Sequence, residues 1–281
     1  MKQIIIFILV LNFGNAVSQD LIDAKYTAHN KGKWFFFWGG NRADYAKSDI
    51  QFTGNGYNFE VQDAVADDRP KGWHIDYINP SKMTIPQTNA RIGYFITDKY
   101  NVSIGVDHMK YVVRQNQTVN VNGSINLPNN EVGSQFNGNY NNTATVLTDD
   151  FLKLEHTDGL NYVHAEISRF DDISKIFKLP NTDKVQINLT EGLGFGFIYP
   201  RTDSSLLGKT RHDNYNVAGF GISGKVGLNF TFFKYFFVQT ELKAGFLNMN
   251  NIRTTYETTD KATQEILFLE RTIAFGGIFR L

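Results

Sequence analysis

The chain has 281 residues, with Lys+Arg 28 against Asp+Glu 28, so no net charge draws it to nucleic acid. It holds no cysteine, which excludes disulfides and thiolate metal sites. Gly 24, Phe 24 and Tyr 13 stand against Pro 6, and the mean hydropathy is negative. That combination fits long strands of which only one face is apolar.

Residues 1–18 match a secretory signal. Lys2 is the positive end, residues 4–11 are the apolar core, and Ala16-Val17-Ser18 supplies small residues for cleavage. The apolar run is shorter than the roughly 20 residues a membrane helix needs. Secretion without cysteines suits a bacterial envelope. Residues 19–32 read as a short polar lead before one domain, 33–281.

The first strand candidate, 33–45, opens on Trp34, Phe35, Phe36, Phe37 and Trp38. Both faces are aromatic, which suits a membrane-interface girdle and leaves the facing open. Residues 48–87 read as an external loop carrying a hairpin around Thr53-Gly54-Asn55-Gly56. Strand 88–97 sets Ala90, Ile92, Tyr94 and Ile96 against Arg91, Gly93 and Phe95, and strand 101–114 sets Val102, Ile104 and Val106 against Ser103, Gly105 and Asp107. An Asn-, Gly- and Thr-rich loop follows at 115–158. Strand 159–170 alternates Val163, Ala165 and Ile167 with Tyr162, His164, Glu166 and Ser168. In strand 184–199 Glu191 interrupts the apolar face, through a bulge or because it sits near an interface.

Loop 200–215 leads to strand 217–231, where Phe220, Ile222 and Val226 oppose Ser223, Lys225 and Asn229. Strand 236–249, loop 250–263 and strand 264–281 complete the chain. These runs exceed the usual strand of about five or six residues. They fit tilted bilayer crossings of about 9–11 residues. The expected fold is all-β: a closed antiparallel transmembrane β-barrel of about eight strands, an up-and-down meander with both termini periplasmic. Ten strands is the alternative, should the hairpin at 48–61 also cross the membrane.

With these features the chain resembles the small OmpA-like or OmpX-like outer-membrane barrels. The likeness is carried by the signal, the tight turns around Asp98-Lys99 and Lys234-Tyr235, the glycine-lined inner faces and the last strand. There Ile273, Phe275, Phe279 and Leu281 alternate, with Leu281 where such proteins usually carry phenylalanine and Gly277 breaking the series. The resemblance implies an integral outer-membrane location, contact with outer-membrane lipid and lipopolysaccharide, and insertion by the barrel-assembly machinery. It does not fix an activity.

Eight strands leave an interior that side chains fill. Arg91, Asp107, His164, Glu166, Ser168, Lys225, Glu241, Lys243 and Glu270 are the expected lumen polar network, because buried charge must be paired. A narrow pore or small-solute conduit is the alternative. A second alternative reads His164, Glu166 and Ser168 as the acid–base–nucleophile set of a lipid A-modifying barrel enzyme. Same-face neighbours lie about 6.6–7 Å apart, too far for direct hydrogen bonds. His74, Asp76, His156 and Asp158 lack metal-ligand spacing, and no helix follows the glycine run 192–197 to make a phosphate site. No metal or cofactor is expected. The leading reading is a non-enzymatic barrel with a structural or docking role, the candidate docking residues being Phe52, Tyr57, Phe59, Trp73 and Tyr77.

Overall fold

The structure, a computed structural model, describes residues 29–70, 72, 86–209 and 214–281. The expected signal, most of the lead, and Trp73, His74, Asp76 and Tyr77 lie outside the described residues. Numbered in chain order, eight long strands form a ring: β1 (Trp34–Tyr45), β5 (Thr88–Phe95), β6 (Tyr100–Met109), β11 (Leu160–Asp172), β12 (Val185–Ile198), β14 (Gly219–Phe232), β15 (Phe236–Arg253) and β16 (Lys261–Phe279). Each pairs antiparallel with the next. β1 meets β16 from Trp34↔Phe279 to Tyr45↔Phe268, which returns the ring on itself.

Burial around the ring is inverted relative to a soluble protein. Ile104 and Phe195 face outward at 65% and 63% exposure, while Arg91 and Lys243 face inward at 2% and 1%. Water would not tolerate that apolar wall, whereas hydrocarbon demands it and allows no unpaired backbone edge. This is the architecture of a transmembrane β-barrel. Phe220 and Ile222 are exposed on the outer wall.

The structure decides the points left open. In β1, Phe35 and Phe37 turn inward and join Phe95, Phe237 and Ile278 in an aromatic plug near the termini. Glu191 needs no bulge, because β12 runs in unbroken register along β14 from Val185↔Phe232 to Ile198↔Gly219. It sits opposite Arg169, close to the end of β11, which is an interface position. The turn after β14 places Phe233 and Lys234 at φ 52 and 70. Two consecutive left-handed residues match the twist of a hairpin but carry strain that Asn-Gly would avoid.

The long connections differ from the expectation of loops. β15 and β16 continue past the barrel, so the connection between them is 254–260 rather than 250–263. The overhang of β16 pairs Lys261–Gln264 with Ile50–Thr53 of β2 (Ser48–Gly54). The sheet then extends through β3 (Tyr57–Ala64), β8 (Thr118–Ile125) and β9 (Gly138–Val146). The hairpin of β2 and β3 therefore lies outside the ring. A second small sheet joins β4 (Ala66–Asp67), β7 (Val112–Val113), β10 (Leu152–Glu155) and β13 (Asp203–Leu206). Between the two sheets lies an apolar core of Ile50, Phe52, Phe59, Val61, Val121 and Phe151, continuous with Tyr162, Leu247 and Met249 at the barrel mouth. The connections thus fold into a cap.

Replacing Ile104, near the middle of outward-facing β6, by Arg is expected to cost about 2–4 kcal/mol of folding free energy in bilayers. Thr53→Arg, exposed on the cap, is expected to stay within about 0.5 kcal/mol. Denaturant titration of folding into liposomes measures both.

Candidate functional site

The lumen polar network is a layer of charge between the aromatic plug and the cap. β5 supplies Arg91, β6 Asp107, β11 His164 and Glu166, β14 Lys225, β15 Glu241 and Lys243, and β16 Glu270. β12 contributes glycines: a Cβ on Gly194 would lie 3.1 Å from Glu166 Cγ, so the missing side chains make room for the layer.

Arg91 Nη1 donates to Glu241 Oε1 at 3.0 Å and is ion-paired with Glu166 Oε2 at 2.9 Å, bridging across the barrel. Lys225 Nζ meets the same two carboxylates at 2.8 Å each. Lys225 and Lys243 are directly opposed in the register of β14 and β15, a repulsive placement by itself. Glu166 relieves it by also taking Lys243 at 3.0 Å. Lys243 further donates to Asp107, whose Oδ2 lies 3.1 Å from His164 Nε2.

Asn89 and Asn41, absent from the expected set, also join the layer. Asn89 Nδ2 donates to Asp107 Oδ1 at 2.6 Å and Glu270 Oε1 at 2.8 Å, and Asn41 Nδ2 donates to Asn89 Oδ1 at 2.7 Å. Asn89 stands two positions before Arg91 on the same face, which is the signal that would have found it. Asn41 required the facing of β1.

Chemically the layer is a cluster of mutually paired buried charges. Asp107, Glu166, Glu241 and Glu270 face Arg91, Lys225 and Lys243, all buried or nearly so. The alternative reading of His164, Glu166 and Ser168 as an acid–base–nucleophile set finds no assembled trio. The His164 ring engages Asp107 and Glu166, and Ser168 Oγ has no hydrogen-bond partner among the described residues. All three residues are buried.

The candidate docking residues require a correction. Phe52, Tyr57 and Phe59 are buried in the cap core, with Phe52 stacked on Phe59 at 5.3 Å, so those rings are spent on internal packing. His156 lies at the junction of cap and barrel. Its Nδ1 is 3.2 Å from Thr202 Oγ1, its ring packs near Tyr111, and burial pushes its pKa down to about 4. No group of three or more metal-ligating His, Asp or Glu side chains occurs among the described residues.

No family model matches the chain, and no curated protein matches it. Among solved structures it is similar to the outer membrane protein OprG from Pseudomonas aeruginosa, at 10% identity and TM-score 0.43, covering 90% of this chain and 99% of that one. It is similar to Neisserial surface protein A at 9% identity and TM-score 0.33, covering 88% and 97%. It is also similar to Ail, the attachment invasion locus protein of Yersinia pestis, at 11% identity and TM-score 0.29, covering 87% and 99%. The barrel assignment rests on this chain's own ring pairing and inverted burial.

Lys225→Met leaves Glu166 and Glu241 short of a cation and is expected to destabilise the barrel by about 3–5 kcal/mol. Adding Glu241→Gln should recover part of that loss, read by denaturant unfolding. His156 stays neutral in the folded cap down to about pH 4, while the unfolded chain protonates it near 6.5. Its contribution is therefore complete above about pH 6.5 and declines by roughly 3 kcal/mol as pH falls toward 4. His156→Gln should flatten that part of the pH profile of unfolding.

Proposed function

We propose that this chain is an integral outer-membrane β-barrel whose task is structural and docking, performed by the cap. The barrel spans the membrane with its termini and short turns on the periplasmic side and the cap outside. The signal-like N-terminus, the absence of cysteine and the apolar outer wall support that placement. Outer-membrane lipid and lipopolysaccharide surround the wall, and the barrel-assembly machinery inserts it. A protein partner at the cap would meet the polar outer surface of the cap rather than the buried aromatic rings.

The observation that carries this reading is the filled lumen. A residue-tight charge layer is closed off by aromatic side chains below and an apolar core above, which opposes a conduit. The missing serine–histidine contact opposes a hydrolase. The purified protein in planar bilayers is expected to leave the conductance at the protein-free level. A steady conductance that disappears with the protein would overturn the sealed-barrel reading. A lipid A mass shift lost in Ser168→Ala would overturn the non-enzymatic one.

A further inference from the structure

The cap sheet has a second face whose position follows from strand register. Along β16, outward residues alternate from Phe275 and Ile273 through Arg271, which is paired with exposed Asp44, and Leu269 and Leu267 to Glu265, Thr263 and Lys261. Lys261 pairs with Thr53, Thr53 with Asn58, Asn58 with Ser124, and Ser124 with Asn139. Cross-strand partners share a face. The outer face of the cap is therefore the upward continuation of the barrel's apolar wall, on the same side as the lipid. Lys261 stands about 20 Å along the strand from Leu267 at about 3.3 Å per residue, so roughly 15 Å higher for a tilted barrel strand. That is the level of lipid headgroups.

The chemistry of this face is distinct. The first row is Lys261, Thr53, Asn58, Ser124 and Asn139. The next contains Gln51, Glu60 and Asn122, and Asn120 stands beyond it beside Gln62. Amides and hydroxyls dominate, and charges are few. An amide carries both donors and an acceptor, as a sugar hydroxyl does; here Gln51 Nε2 already donates to Asn58 Oδ1 at 2.7 Å, Gln62 Nε2 to Glu60 Oε2 at 3.0 Å, and Asn122 Oδ1 accepts from Asn142 N–H at 2.7 Å. Neighbours within a row stand at the strand spacing of about 4.8 Å, close to the length of one pyranose ring, and successive rows lie about 6.6–7 Å apart. Asn58, Asn120 and Ser124 are exposed, while the opposite face is committed to the cap core.

We infer that the outer face of β2, β3 and β8 docks the saccharide headgroup of a membrane glycolipid whose acyl chains lie against the barrel wall below. Recognition is by hydrogen bonds from the amide rows, with the acyl chains holding the sugar in place. The membrane thereby presents the ligand at high local concentration to a face that would bind free sugar weakly. This rests on the proposed outer-membrane placement, and it identifies one ligand class for the docking role.

The test uses the full chain in detergent and two probes: lipid A without core sugars, and the same lipid A bearing its core oligosaccharide. Competition binding is expected to favour the core-bearing lipid by about tenfold, a difference of about 1.4 kcal/mol. Asn58→Ala/Asn120→Ala/Ser124→Ala should lower it to the lipid A level and leave lipid A binding unchanged. Those side chains are exposed, and unaltered heat-modifiable gel migration confirms the fold. Gln62→Ala with Asn120→Ala is the smaller variant, expected to give a partial loss. Equal binding of the two lipids, or undiminished discrimination in both variants, overturns the inference. Flotation of the protein with membranes distinguishes the failures. Absence from the membrane fraction defeats the outer-membrane placement itself, and flotation without sugar discrimination defeats only the docking face.

Discussion

Everything in this molecule follows from the seam between β1 and β16. In hydrocarbon an unpaired backbone N–H or C=O costs several kcal/mol, so a sheet that crosses a membrane cannot keep an edge. Twelve residue pairs, Trp34↔Phe279 to Tyr45↔Phe268, close that edge. β1 is shorter than β16, so closure leaves the upper part of β16 unpaired on that side. β2 fills the gap after a break at 46–47, and the cap grows from there. The cap sheet is thus the solution to the leftover edge above the membrane, where a charged or covered edge would also have served.

Ring size then sets what the interior must do. An eight-stranded barrel has room for side chains and little else. An all-apolar filling would remove the contrast between the two faces of each strand, which is what specifies register in lipid. The charged layer keeps that contrast. Burying each ion costs several kcal/mol, offset only where the partners are close and shared. Glu166 contacts Arg91, Lys225 and Lys243, and Arg91 reaches Glu166 and Glu241 from the far side of the lumen. A slip of one residue in any of these strands would aim its charges at hydrocarbon. The layer is therefore costly in stability and strict in register.

The ring was legible in the sequence because lipid imposes a two-residue period on every strand it touches. Ile104, Ile167, Phe195 and Ile273 mark the outer wall unambiguously. Arg91, Asp107, Glu166, Lys225, Glu241 and Lys243 could be placed inward by counting alone. Counting could not say which charges meet, since Arg91 and Glu241 are 150 residues apart. β1 resisted because the lumen near the termini is packed with Phe35 and Phe37, so both of its faces are greasy for different reasons. Of the cap, the β2–β3 hairpin around Thr53-Gly54-Asn55-Gly56 was legible and the rest was not, for another reason. Its strands are short, and its central pairing joins Gln51 to Thr263 across nearly the whole chain. Phe52 and Phe59 announced a buried surface, but only the fold could say that the cap itself supplies its partner.

β16 shows why the barrel and cap form one body. Its alternation of exposed and buried positions persists from Lys261 to Phe275. What the alternation means changes along the way. Near the turn end the inward residues are Ile278 and Ala274, in the aromatic plug. Midway they are Thr272 and Glu270, in the charged layer. Above the lipid they are Phe268, Ile266 and Ala262, in the apolar cap core. The outward residues change in the opposite sense, from Phe275, Ile273, Leu269 and Leu267, with Arg271 paired to Asp44 among them, to Glu265, Thr263 and Lys261. One strand thereby crosses from a solvent that excludes polar groups to one that excludes apolar groups, and its two faces exchange character while the strand runs on, its ladder to β15 shifting register once between Met249 and Ile252. The exchange occurs near Phe268, where the ring of Tyr162 packs at 6.4 Å over the charged layer. At that level the inner face must be apolar toward the cap and polar toward the lumen, and tyrosine satisfies both, its hydroxyl donating to the Gly221 carbonyl at 3.2 Å.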